Sequence, residues 1–194
     1  MNYVEPIRNL KSIKALKAYL KDNKRPRDYL LFTLGINIAL RIGDLLKLKV
    51  GAVAERDGDG WRMRDELRTI EGKTSKRRIM QLNDSAREAV QFWLDAHDDA
   101  AETDYLFASQ KHMDRPITSG QAWRLAKEWA AVVGLEGNIG THSLRKTFGY
   151  WAWKNGTRTE TLQELFGHSR PEITRRYIGV SEREIQDVYN NVNL

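Results

Sequence analysis

After Pro26 the chain runs through 29–40 as Tyr-Leu-Leu-Phe-Thr-Leu-Gly-Ile-Asn-Ile-Ala-Leu, an almost unbroken apolar stretch. Pro26 stands where a first helical position is expected, because its missing N–H costs nothing there. The stretch is long enough for a helix and far short of the roughly 20 residues that span a bilayer. A helix that is apolar on most of its faces has to be buried. A chain of 194 residues can supply one core around it, in a single domain.

The flanking patterns supply further elements. Ile13, Leu16 and Leu20 fall at helical spacing over 12–23, with Ser12 as a possible N-cap. A short helix is expected over 44–48. Asp57-Gly58-Asp59-Gly60 reads as a turn, and two short strands, 67–71 and 78–82, flank a hairpin loop over 72–76. Asn83 can cap a helix that aligns Ala86, Val90, Trp93 and Leu94. Thr118 or Ser119 can start another, through Trp123, Leu125, Ala126, Trp129 and Val133 to Gly134. The last third predicts helices over 143–155, 159–166, 171–178 and 181 to about 192, with Gly156 and Gly167 as stops. No repeat or linker divides the chain. The expected fold is mainly α with a small antiparallel β-sheet, an α+β domain.

With no cysteine, disulfides and thiolate chemistry are excluded. The first ten residues lack the apolar centre of a secretion signal, so a cytoplasmic location and no membrane partner are expected. The net charge of +6 favours a polyanionic partner, and nucleic acid is the usual one.

Several residues could act on a phosphodiester. In Thr141-His142-Ser143-Leu144-Arg145 the His and Arg lie three apart, so a helix presents both from one face. Together they can hydrogen-bond one phosphate, although two solvated cations would give the same pattern. His168 follows a glycine stop, and Tyr177 lies nine residues later in a short basic helix; each could equally be a packing residue. Arg41, between Leu40 and Ile42, is expected to be partly buried and therefore to need an anion. Asp44 could orient it, or the two could form a plain local pair. Lys73 sits in the hairpin loop before Lys76, Arg77 and Arg78, where a solvated basic turn is the alternative. Jointly, two Arg, two His, a Lys and a Tyr suit phosphodiester transfer without a metal. The arginines would neutralise the non-bridging oxygens, and a tyrosine of pKa about 10 needs a group to take its proton.

The set Ala39-Leu40-Arg41-Ile42-Gly43-Asp44-Leu45-Leu46, Lys73, Thr141-His142-Ser143-Leu144-Arg145, Leu165-Phe166-Gly167-His168-Ser169 and Tyr177 resembles the tyrosine recombinases, or phage integrases. Order and gaps both match. The resemblance implies the catalytic-domain fold of that family and site-specific breakage and rejoining of double-stranded DNA. It casts Arg41 and Arg145 as phosphate clamps, Lys73 as the acid for the leaving oxygen, and His142 as acceptor of the tyrosine proton. His168 becomes a second phosphate ligand and Tyr177 the nucleophile. No ATP, metal or other cofactor is implied.

Lys76, Arg77 and Arg78 are expected to contact DNA, with Lys76 a rival to Lys73 as the acid. A homo-oligomer, a tetramer on DNA, is expected, with accessory DNA-bending proteins as further partners. An apolar stripe of Ile185, Val188, Tyr189 and Val192 could pack at home or insert into a neighbouring copy. Two alternatives share the fold: a catalytically silent DNA-binding regulator and a type IB topoisomerase. Three departures stand out: Asp44 where Glu is common, Lys146 where His is frequent, and Phe166 where Leu is frequent. About 40 residues precede Arg41, too few for the N-terminal clamping domain that members commonly carry; residues 1–194 are expected to be the catalytic domain alone.

Overall fold

In the computed structural model, residues 4–72, 75–112 and 114–181 are described, together with Glu184, Gln186, Tyr189 and Asn190. The chain starts with α1 (Leu10–Asp22), α2 (Pro26–Asn37) and the single turn α3 (Ile42–Leu45). A 3-10 turn (Val50–Ala52) leads into β1 (Ala54–Asp57) and β2 (Gly60–Met63), then β3 (Glu66–Ile70) and β4 (Arg77–Gln81). Helices α4 (Asp84–Leu94), α5 (Ser119–Val132), α6 (Thr141–Lys154), α7 (Thr159–Phe166) and α8 (Pro171–Ile178) complete it.

As its composition requires, α2 is the centre: every residue from Asp28 to Gly35 is buried, and α1, α4 and α6 pack around it. Side-chain caps fix the helix starts. Asn83 Oδ1 accepts the N–H of Ala86 at 2.9 Å, and Thr118 and Gln121 cap one another reciprocally at the start of α5.

The single small sheet expected from the sequence is two separate antiparallel ribbons among the described residues. β3 pairs with β4 from Glu66↔Gln81 to Ile70↔Arg77, one residue earlier in each strand than the sequence suggests. β1 and β2 pair from Ala54↔Met63 to Asp57↔Gly60, so the Asp-Gly turn closes a hairpin of its own. That ribbon was illegible because its strands, Ala-Glu-Arg-Asp and Gly-Trp-Arg-Met, carry little apolar alternation.

Two glycines set how closely helices approach α6. A Cβ on Gly35 would lie 2.6 Å from Leu144 Cδ1, so α2 and α6 meet there with no room for a methyl group. On Gly149 a Cβ would stand 2.6 Å from both Ile178 Cγ2 and Phe166 Cζ. This second contact belongs to a small apolar cluster of Ala39, Leu162, Phe166 and Ile178, separate from the main core. Gly149→Ala should cost about 1–3 kcal/mol by overpacking, read as a lower denaturant midpoint. An unchanged midpoint would mean that α8 yields freely. The helix expected over 181–192 falls mostly outside the described residues, as do Ile185, Val188 and Val192 of its stripe; Tyr189 is exposed.

Candidate active site

Five elements meet at one corner, and backbone geometry explains the convergence. Beyond α2 the chain turns sharply, with Ala39 at φ +54°, a region uncommon for a residue with a side chain. That turn aims the Ala39 carbonyl at α6, where Arg145 Nη1 donates to it. It also leaves Arg41 extended at the start of α3, with its side chain entering the corner. Helix α6 begins with the Gly140 N–H donating to Ser143 Oγ at 3.1 Å, which places His142 in the first turn and Arg145 one turn further on.

Arg145 is 5% exposed. Besides Ala39 it donates from Nη2 to the Phe166 carbonyl at 3.4 Å and lies 4.8 Å over the Phe166 ring. Arg78 Nη2 donates to the neighbouring Leu165 carbonyl. The C-terminal end of α7 is thus capped by two guanidinium groups, the favourable sign at that end of a helix dipole.

Arg41 has a partner that the sequence reading did not assign. Its Nη1 lies 3.1 Å from Oε2 of Glu71, which is 2% exposed, and Arg78 Nε donates to Glu71 Oε1 at 3.1 Å. Asp44, expected to orient Arg41, instead accepts the Gly72 N–H at 2.9 Å and secures the hairpin. The signal for Glu71 was present in the strand pattern. Leu67, Thr69 and Glu71 alternate onto one face, the face on which Leu67 is buried. Glu71→Ala leaves two partly exposed arginines without their shared carboxylate, so it should cost about 1–3 kcal/mol. Calorimetry would register this as a fall in Tm of several degrees; an unchanged Tm would contradict the pairing.

Gly167 takes the left-handed conformation, φ +69°, and stops α7 so that His168 turns back into the corner. His168 Nδ1 lies 3.0 Å from Oγ1 of the fully buried Thr174, which fixes the ring. Tyr177, half-buried on α8, packs edge to face with His168 at 5.0 Å between ring centroids, and against Phe166 at 5.2 Å. Among the described residues, the histidine ring packed on Tyr177 is therefore His168. His142 stands more openly at the rim.

Electrostatics follow from this crowding. Burial pushes the Tyr177 hydroxyl up, while Arg145 and Arg41 pull it back. Desolvation lowers both histidines, and nearby cations reinforce it: Lys146, Arg145 and Arg41 for His142, and Arg145 and Arg41 for His168. Both imidazoles are therefore biased to neutral forms that can accept a proton. The corner is rich in fixed cations and suits an incoming phosphate.

On the hairpin, Lys76 and Arg77 are exposed, whereas Arg78 turns inward onto Glu71 instead of pointing outward with them. Lys73 lies outside the described residues.

The model of the phage integrase family matches residues 9–184. The chain belongs to the phage integrase family. One relative of this integrase is a probable integrase/recombinase, YoeC, of Bacillus subtilis, 41% identical over 97% of both chains. Tyrosine recombinase XerD of Corynebacterium glutamicum is 29% identical over 86% of this chain and 53% of its own. The crystal structure of XerA recombinase superposes with a TM-score of 0.76 and 20% identity, covering 98% of this chain and 66% of that one. A lambda integrase dimer bound to a core site gives a TM-score of 0.67, at 18% identity, over 95% of this chain and 62% of that one. The integrase thus spans nearly all of YoeC and about half to two-thirds of the longer recombinases. The fold is that of tyrosine recombinase catalytic domains: mostly helical, with two small antiparallel ribbons.

Proposed function

We propose that this integrase breaks and rejoins double-stranded DNA at specific sites, with Tyr177 as the nucleophile. The observation that carries the reading is the packing of Tyr177 on His168, beside Arg145 and Arg41. A phosphate brought to Tyr177 there meets two guanidinium groups and an imidazole at once. Arg41 and Arg145 hold its non-bridging oxygens, and His168 bonds it from the side that faces Tyr177. The Tyr177 oxygen passes its proton to His142 and bonds to phosphorus. The bond from phosphorus to the 5′ oxygen breaks, and Lys73 supplies that oxygen with a proton. The products are a 3′-phosphotyrosine and a free 5′ hydroxyl. A 5′ hydroxyl from a second strand then attacks the phosphotyrosine, restoring Tyr177 and joining the new strand, with no ATP or metal consumed.

Lys76 and Arg77 carry the hairpin onto the DNA backbone, and Arg78 holds that hairpin to α7. Recombination needs two sites, so the working unit on DNA is a homo-oligomer, a tetramer for paired duplexes, which accessory DNA-bending proteins assist. The test is a pool of short duplexes with random core sequence and a nick that lets the short 5′ fragment diffuse away. An SDS-resistant adduct, mapped by mass spectrometry to the peptide bearing Tyr177, is expected. No adduct from the whole pool, or one on another residue, would overturn the reading.

A further inference from the structure

Lys146 is the residue on the inner face of α6 that the scheme above leaves unused, and its placement is unusual. Lysine is rarely buried, yet Lys146 is 5% exposed in the middle of the helix. Its Nζ donates to the Val4 carbonyl at 2.7 Å and lies 5.2 Å from the centroid of the Tyr177 ring. His142 is one helical turn before it, so both side chains rise from the same face of α6.

We propose that Lys146 is a positioning residue that sets a positive charge beside both the proton acceptor His142 and the nucleophile Tyr177. The proposal rests on the assignment of Tyr177 and His142 made above. An ammonium over a phenol ring is attracted by the ring's electron density, and the attraction grows as the hydroxyl loses its proton. The same charge opposes protonation of His142, and Lys146 is the largest single charge acting on that imidazole. Arg145 and Arg41 draw down the Tyr177 hydroxyl, and Lys146, seated over the ring, joins them while it keeps the acceptor empty.

The segment 4–8 holds the cation in place. Besides the Val4 carbonyl, the Ile7 N–H donates to Thr147 Oγ1 at 2.8 Å, and Trp151 Nε1 donates to the Ile7 carbonyl at 3.0 Å. Burial lowers the pKa of Lys146, and Glu5, on the same segment, partly opposes that loss of charge. The charged and titratable groups facing the pair are Lys146 and Arg145 from α6, Arg41 from the turn after α2, His168 from the end of α7, and Glu5 from the N-terminal segment.

The test measures single-turnover cleavage of the nicked duplex pool between about pH 5.5 and 9, for wild type, Lys146→Gln, Lys146→Met and Lys146→Arg. His142 accepts the proton only when neutral, and loss of the Lys146 charge raises its pKa. The acid limb of the rate profile should therefore move to higher pH, by about 0.5–1 unit, in Lys146→Gln and Lys146→Met. On that limb their rate should drop about 3- to 10-fold, the factor that a shift of this size gives below the pKa. Lys146→Arg keeps the charge and should keep the limb of the wild type. Met retains the volume of the buried stem, so it decides the matter if the Gln variant fails to show a native circular dichroism spectrum. If the variants lose only thermal stability while the limb stays in place, Lys146 is a structural anchor and the proposal is wrong. Failure of the parent assignment looks different: the wild type itself then gives no adduct at Tyr177.

Discussion

Tyr177→Phe should abolish the covalent adduct while leaving the fold intact. The ring contacts with Phe166 and His168 involve carbon surfaces that phenylalanine reproduces, and loss of the hydroxyl's bond with Arg145 should lower Tm by only a few degrees. What disappears is the hydroxyl assigned above to bond to phosphorus. Removal of a covalent nucleophile costs on the order of 10⁶-fold in rate, below detection in a gel assay. DNA binding should persist, because the phosphate-facing cations are untouched. Adduct formation by the variant at even a hundredth of the wild-type rate would assign the nucleophile elsewhere.

Arg145 should give the second large effect, and one of mixed origin. Its guanidinium has two duties: it binds the carbonyls of Ala39 and Phe166, and it flanks Tyr177. Arg145→Ala should slow cleavage about 10²–10³-fold if it acts like a donor in an oxyanion hole. It should also cost about 1–3 kcal/mol of stability, since two inward-facing carbonyls lose their donor. Arg145→Lys separates the two duties. It restores a charge but not the planar fork, so cleavage should remain well below wild type even where DNA affinity recovers. Single-turnover rates, equilibrium binding and thermal melts on the same three proteins would resolve these contributions. Full activity in Arg145→Lys would show that only its charge matters.

Much of the molecule was legible in the chain. The apolar run at 29–40 announced the central helix, and the spacing of His142 and Arg145 announced a shared face on α6. Strand positions around the basic hairpin were off by one residue, within the usual uncertainty of element ends. The β1–β2 ribbon escaped because its strands are exposed and polar, so period two left little trace. Glu71 escaped for a different reason. Arg41 has an acidic residue three positions away, and local spacing made Asp44 the natural partner. The real partner arrives from just past the end of β3, thirty positions later, and only the packed hairpin brings it near. Lys146 was visible as a departure at its position, but its burial and its reach to Tyr177 depend on the N-terminal segment folding over α6.

The small apolar cluster beneath α7 and α8 has a consequence for how this protein can change. Leu162, Phe166 and Ile178 form a cluster apart from the large core, and Phe166 and Ile178 close directly on the bare Cα of Gly149 in α6. A change in this cluster therefore touches two properties at once. It alters the packing that seats α8, and it re-aims the Tyr177 oxygen which that helix carries. Drift here is registered both in melting behaviour and in the direction of attack.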